Sequence, residues 1–155
     1  MTAMRFVDTN ILLYRVSTDT LERRKQEVAA KILASRDLCL FVQVLQEFYV
    51  QATRPSRPDP ISHADAFALI RAWKRYPVLG MDVELVKRAM SAKERWQLSY
   101  WDAAVLEAAR TCKCEVLLSE DLNHGQDYEG VYVVNPFLDL CPPTKNQNPS
   151  ASKAP

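Results

Sequence analysis

Short apolar runs alternate along this chain with longer segments whose apolar residues recur at helical spacing. The runs are predicted strands, at residues 6–7, 38–42, 78–79, 116–118 and 131–134. Strands that alternate with helices form a parallel sheet with helices on both faces, joined by right-handed crossovers. The sequence therefore predicts an α/β protein built around a central parallel sheet.

The segments between the predicted strands are predicted helices, because their apolar residues repeat every three or four positions. They span residues 10–16, 20–35, 43–53, 63–75, 82–97 and 99–109. The last is almost wholly apolar and must be packed on most sides. Three prolines within residues 55–60 end the third helix and predict an extended loop. The apolar residues expected on buried helix faces include Leu21, Val28, Ile32, Leu33, Val44, Leu45, Phe48, Tyr49, Ala52, Phe67, Ile70, Trp73, Val83, Val86 and Met90.

The length and the charge of the chain limit its class. With 155 residues, 48% of them hydrophobic, a single domain is expected over residues 1–141. Residues 142–155 offer nothing to bury, so a disordered tail is predicted there. The net charge is +1, and two tail lysines, Lys145 and Lys153, account for more than all of it. An anionic partner must therefore be held by local cations or by a metal rather than by a global basic field.

No apolar stretch is long enough to span a bilayer, and the first residues lead directly into the first predicted strand, so a cytoplasmic protein is expected. The four cysteines, Cys39, Cys112, Cys114 and Cys141, form no Cys-x-x-Cys pair, and only two histidines accompany them. Free thiols are therefore expected rather than a zinc site on Cys112 and Cys114.

Four acidic residues occupy positions that share one edge of the predicted sheet. Asp8 ends the first strand, and Asp121 follows the fourth. Glu47 lies about one turn into the helix after the second strand, and Asp102 lies in the first turn of the helix that leads into the fourth. All four positions belong to the carboxyl edge of a parallel sheet, where such folds bind ligands.

Carboxylates gathered at one edge repel one another unless a cation lies among them. Because few His or Cys residues accompany these acids, the matching cation is a hard one, Mg²⁺ or Mn²⁺. Such ions bind phosphate oxygens and activate water. The residue types therefore point to hydrolysis of a phosphodiester.

Each acid also has a purely structural interpretation. Asp8 would serve as a helix N-cap, Asp102 as the acid of a capping box that begins at Ser99, and Asp121 as a turn residue. Glu47 would equally suit a solvated helix surface. The four interpretations are weaker jointly than singly, because all four acids fall at the same edge.

Other polar residues near the acids are less informative. Ser119 fits a turn former as well as a metal ligand or a group that positions water. Glu120 is expected to be exposed, and His124 to be a loop residue without a catalytic role. The candidates for gripping a phosphate backbone are Arg15, Arg54 and Arg57.

Four stretches of the chain resemble the motifs of PIN-domain ribonucleases, and more narrowly those of the VapC toxins of bacterial toxin–antitoxin pairs. They are Val7-Asp8-Thr9-Asn10-Ile11-Leu12, Gln43-Val44-Leu45-Gln46-Glu47-Phe48, Tyr100-Trp101-Asp102-Ala103, and Leu118-Ser119-Glu120-Asp121-Leu122 with Asn135-Pro136-Phe137. The resemblance covers about residues 4–138 and keeps four acids in the family's order.

This resemblance implies a three-layer α/β/α sandwich and Mg²⁺- or Mn²⁺-dependent endoribonuclease activity. It also implies a homodimer and inhibition by a small VapB-like antitoxin. The residues implied as metal ligands are Asp8, Glu47, Asp102 and Asp121, with Asn10 and Ser119 as supporting polar groups.

Two other classes of protein fit parts of the pattern. A Mg²⁺-dependent phosphatase or phospho-acceptor domain would also place an Asp after its first strand. The sequence Asp8-Thr9-Asn10 has no second Asp two places on, which argues against the phosphatase. A PIN-like module that binds RNA or protein without turnover is the non-enzymatic alternative, and the retained acids argue against it.

Overall fold

Six strands form one central sheet in the computed structural model of the protein, which describes residues 3–140. They are β1 (Arg5–Val7), β2 (Leu38–Phe41), β3 (Val78–Leu79), β4 (Val116–Leu118), β5 (Asp127–Tyr128) and β6 (Val131–Val134). The order across the sheet is β3-β2-β1-β4-β6-β5, and every neighbouring pair is parallel except β5 with β6. The predicted α/β fold with a central parallel sheet is confirmed. The predicted tail and Cys141 lie outside the described residues.

Six helices connect the strands and complete a three-layer α/β/α sandwich. They are α1 (Thr9–Arg15), α2 (Arg23–Ala34), α3 (Val42–Ala52), α4 (His63–Trp73), α5 (Val83–Trp96) and α6 (Tyr100–Thr111). Helices α4, α5 and α6 begin where a side chain caps them, since Ser62, Asp82 and Ser99 each accept a hydrogen bond from a backbone N–H of the first turn. Each cap fixes where its helix starts.

The core lies on both faces of the sheet. All four residues of β2 are buried, as are Phe6 and Val7 of β1, because these strands lie inside the sheet with helices on either side. Residues 103–109 of α6 are all buried, as their composition predicted. The two acids that follow β1 and β4 are therefore attached to strands that pack inside the core.

Strand β5 was not predicted from the sequence. It has two residues and exists only as one side of a hairpin with β6, whose turn needs positive φ at Glu129 (53°) and Gly130 (96°). The turn is closed by a hydrogen bond from the Gly130 N–H to Asp127 Oδ1 (2.7 Å). A strand this short carries no periodicity of its own, so only its partner defines it.

Several predicted helix faces were wrong. The large side chains concerned are exposed, and they are Leu21, Tyr49, Phe67, Val83 and Met90. In α5 the buried side is formed by Leu85, Ala89 and Ala92, and α5 packs against α6. Alanines let two helices approach closely, so the face of α5 that carries Ala89 and Ala92 packs against α6. The face with the larger side chains remains exposed.

The remaining expectations concern thiols and membranes. Cys39, Cys112 and Cys114 are free thiols, as predicted. None of the helices found within residues 3–140 has the length and hydropathy that crossing a membrane requires.

Candidate functional site

The structure brings the four acids into one pocket, named here the acid pocket. Asp8, Glu47, Asp102 and Asp121 line this cavity of about 210 Å³ together with Thr9, Asn10, Leu13, Gln51, Trp101 and Val105. Asp8 and Asp121 follow β1 and β4, which are adjacent parallel strands. Glu47 comes from α3 and Asp102 from the first turn of α6. Asp8 and Asp121, which are 113 positions apart in the sequence, thus meet at the carboxyl edge of the sheet.

Asp8 is both the N-cap of α1 and the most buried of these acids. Its Oδ1 accepts a hydrogen bond from the Thr9 N–H (2.7 Å), and its Oδ2 accepts one from the Ser119 hydroxyl (2.7 Å). Burial raises the pKa of Asp8 from 3.8 to about 7, although these two hydrogen bonds lower it. The nearby charges of Asp121 and Asp102 raise the pKa further. The fold therefore holds this carboxylate where its negative charge is unfavourable unless a cation joins it.

Glu47 is fixed by side chains from two elements and does not extend into solvent. Thr9 Oγ1 donates to Glu47 Oε2 (2.6 Å), and Gln43 Nε2 donates to Glu47 Oε1 (3.1 Å). Thr9 is the residue directly after Asp8, so one short segment positions two acids. This link spans 38 residues of sequence and could not be seen from local pattern.

Asn10 and Ser119 connect the two strand ends. Asn10 Nδ2 donates to Asp121 Oδ2 (3.3 Å) and, at 3.5 Å, to Asp8 Oδ2. The Ser119 hydroxyl, which donates to Asp8, also accepts from the Asp121 N–H (3.1 Å). Both polar residues therefore lie between the same two acids.

Asp102 faces the pocket from the start of α6. Its backbone N–H donates to the Ser99 hydroxyl (3.1 Å), which is the N-cap interaction that the sequence suggested. Burial raises the pKa of Asp102, a hydrogen bond with Ser99 lowers it, and the charges of Asp121 and Glu47 raise it. A structural role at the helix end and a place in the acid pocket are therefore compatible at this residue.

The chemistry of the lining suits a hard cation. Among the described residues that line the acid pocket, none is Lys, Arg or His, so no protein cation compensates the four carboxylates there. Oxygen donors of this type are the ligands that Mg²⁺ and Mn²⁺ select. Within residues 3–140 no three Asp, Glu, His or Cys side chains lie close enough together to hold an ion as they stand. An ion bound in this pocket would therefore require the carboxylates to approach one another.

The neighbouring polar residues lie away from this chemistry. Glu120 is half-buried, so the prediction that it is exposed was wrong, and its Oε1 accepts from Tyr14 (3.0 Å) and Lys25 (2.9 Å). His124 Nδ1 accepts from the Asn135 N–H (3.0 Å), which makes it a structural tie between a loop and the end of β6. Neither side chain lines the acid pocket.

The three candidate arginines also lie outside the pocket lining. Arg15 and Arg54 are exposed, and the guanidinium of Arg57 pairs with Asp59 (2.9 Å). Sequence reasoning missed Thr9, Gln51 and Trp101 as lining residues. Thr9 and Trp101 sit beside acids that were identified, so their adjacency was the only available signal.

Comparisons with known proteins agree with this fold. A family model described as "PIN domain" matches residues 5–126. A toxin–antitoxin complex from Klebsiella pneumoniae is 17% identical with a TM-score of 0.61, over 85% of this chain and 97% of that one. VapC20 from Mycobacterium tuberculosis, described as a sarcin–ricin-loop-cleaving toxin, is 20% identical with a TM-score of 0.60, over 76% and 91%.

A third solved structure, a DNA-bound VapBC complex from Salmonella typhimurium, is 14% identical with a TM-score of 0.55, over 85% of this chain and 97% of that one. At these identities the likeness establishes the fold alone. A search of curated proteins by sequence returned no significant match.

Proposed function

The chain belongs to the PIN domain family, and we propose that it is a Mg²⁺- or Mn²⁺-dependent endoribonuclease that acts in the cytoplasm as the toxin of a VapBC toxin–antitoxin pair. The observation that carries this proposal is the gathering of Asp8, Glu47, Asp102 and Asp121 in one pocket whose lining offers no cation. A polyanionic substrate would be repelled by such a pocket without a metal, so the metal and the phosphodiester belong together.

The residues divide into those that would hold the ion and those that position them. Asp8, Glu47 and Asp102 are the proposed ligands, with Asp121 as a further ligand or a partner through water. A divalent ion bound there supplies activation of a water molecule and stabilisation of the leaving oxygen. Asn10 orients Asp8 and Asp121, Ser119 holds Asp8 Oδ2, and Thr9 holds Glu47.

Two arguments favour RNA cleavage over the rival functions. For a phosphatase, a second Asp two places after Asp8 is expected, whereas Asn10 occupies that position. In a module that binds without catalysis, burial of an acid whose pKa is raised to about 7 would destabilise the fold and serve no function. The description of VapC20 as a sarcin–ricin-loop-cleaving toxin supports RNA as the substrate class.

The direct test is cleavage of labelled structured RNAs by the purified protein. We expect defined fragments with Mn²⁺ or Mg²⁺ and none when a chelator is in excess, since the four carboxylates cannot act on a phosphate without the cation. Gel electrophoresis of end-labelled RNA measures the result. Full cleavage in excess chelator, or no cleavage of any RNA with either metal, would refute the proposal.

An exposed aromatic group offers a surface for the antitoxin. Tyr49 of α3 and His63 and Phe67 of α4, here called the α3–α4 patch, contact one another: the Tyr49 hydroxyl lies 3.0 Å from His63 Nδ1, and the His63 and Phe67 rings lie 6.0 Å apart. Phe48 and Trp73, by contrast, pack on each other inside the core (4.8 Å between centroids). Exposed aromatic clusters mark protein interfaces. The toxin–antitoxin complexes among the similar folds support a VapB-like partner for this chain, and the α3–α4 patch is the surface we propose for it.

Substitution of Phe67 by Ser should weaken binding of the antitoxin by more than about tenfold, because aromatic anchors dominate interface energies. Co-expression with the product of the gene immediately upstream, as the candidate antitoxin, followed by co-purification, measures it. Met90→Ser is the matched control, since Met90 is a similarly exposed side chain on α5. Equal co-purification of both variants would place the interface elsewhere, and a homodimer that persists in the Phe67→Ser variant would separate self-association from this surface.

A further inference from the structure

A second cavity opens directly beside the acid pocket. It has a volume of about 490 Å³ and is lined by Gln43, Gln46, Glu47, Val50, Gln51 and Trp101. Glu47, Gln51 and Trp101 line both cavities, so the two are adjacent. A molecule that reaches the carboxylates therefore lies next to this second cavity, named here the Trp101 cleft.

Trp101 presents a large flat aromatic surface there. Its side chain is 61% exposed, whereas Trp73 is 4% exposed and the Trp96 ring packs against Tyr128. The Tyr100 ring contacts Trp101 edge-on, with 5.0 Å between centroids, and Trp101 lies in the first turn of α6 next to Asp102. The fold therefore leaves most of this apolar indole exposed to solvent, which is unfavourable in the absence of a ligand.

The polar part of the cleft consists of carboxamides. Gln43 is only 7% exposed, and its Nε2 donates to Glu47 Oε1 (3.1 Å). Its Oε1 is buried and, among residues 3–140, has no hydrogen-bond partner. A buried acceptor without a donor is unfavourable, and a movement of the Gln43 side chain toward the cleft would let a donor of a ligand satisfy it. Gln46 and Gln51 add further amide donors and acceptors to the same lining.

We propose that the Trp101 cleft holds a nucleobase of the RNA strand, stacked on the Trp101 indole beside the scissile phosphate. An aromatic plane together with amide groups matches the face and the edge of a base. The cleft lining has no Lys or Arg among the described residues, so it does not suit a second phosphate. This inference rests on the proposed ribonuclease function and adds a residue that binds the substrate without taking part in the chemistry.

The test is steady-state cleavage of a short RNA in Mn²⁺, measured with the wild-type protein, Trp101→Ala and Trp101→Phe. Loss of one stacked base should raise KM by about 5- to 150-fold with little change in kcat. Trp101→Phe should recover most of the affinity because it keeps an aromatic plane. Met90→Ala, at a side chain of similar exposure on α5, should match the wild type.

Substrates that each lack one base near the cut site complete the experiment. At one position, removal of the base should raise the KM of the wild-type protein by as much as Trp101→Ala raises KM on intact RNA. Removal of the same base should not raise the KM of Trp101→Ala any further. An unchanged KM in Trp101→Ala overturns the proposal. So does a result in which the substitution and the missing base raise KM independently at every position tested. So does a Trp101→Ala variant whose only defect is in dimerisation or antitoxin binding. A wild-type protein that cuts no RNA refutes the ribonuclease function itself, and this inference with it.

Discussion

Replacing Asp8 by Asn should lower the rate of RNA cleavage in Mn²⁺ by at least about 100-fold, and Asp102→Asn should do the same. Changing groups that only support a metal ligand costs about 10- to 100-fold, so loss of a ligand itself should cost more. Both substitutions keep the size of the side chain, and circular dichroism should report an unchanged fold. Initial rates on one end-labelled RNA measure the effect.

Two matched controls lie close to the same site. Glu120→Gln neutralises an acid that neighbours Asp121 in sequence but bonds to Tyr14 and Lys25 outside the acid pocket, so it should keep most of the activity. His124→Ala should also remain active. If Asp8→Asn kept more than about a tenth of the wild-type rate, Asp8 would not be a metal ligand. Complete loss of cleavage in His124→Ala would mean that a histidine is the general base.

The metal-free protein should become less stable as the pH rises from about 4 to about 7, because of Asp8. Burial raises the pKa of this carboxyl to about 7 in the folded chain, from 3.8 when exposed, so across that window the folded state binds more protons than the unfolded state. Asp8→Asn removes the contribution of Asp8 to this dependence, while Asp102, whose pKa burial also raises, keeps a contribution of the same sign. The variant should be more stable than wild type above pH 7 by something on the order of 1–4 kcal/mol. Thermal unfolding from pH 5 to pH 8 measures it.

Hydrogen bonds from Arg5 lower the pKa of Asp37 to about 2, so that pair loses its contribution only as the pH falls below about 4 and leaves this window undisturbed.

Saturating Mn²⁺ should offset the loss of stability that the buried charge of Asp8 causes in the wild type. An ion at 100 times its dissociation constant stabilises the folded state by about 2.7 kcal/mol, and each kcal/mol raises Tm by about 2–4 °C in a chain of this size. Asp8→Asn should lose most of this shift. A variant that is less stable than wild type without metal, yet responds fully to Mn²⁺, would show that Asp8 is only the N-cap of α1.

The sequence alone determined the architecture and the set of acids. The alternation of strands and helices specified a parallel sheet, because strand and helix periodicities are properties of neighbouring residues. The cap at Ser99 was readable for the same reason. The rule that parallel strands share a carboxyl edge then predicted that Asp8 and Asp121 lie close together.

Only the tertiary structure decided which faces are buried and how the acids are held. Val83 and Met90 were expected inside, but α5 packs through Ala89 and Ala92, since the close approach of α6 determines which stripe is covered. The bond from Thr9 to Glu47 joins two elements far apart in the chain. The raised pKa of Asp8 likewise depends on burial by distant residues. Packing between elements is a property of the whole fold, and no window of sequence contains it.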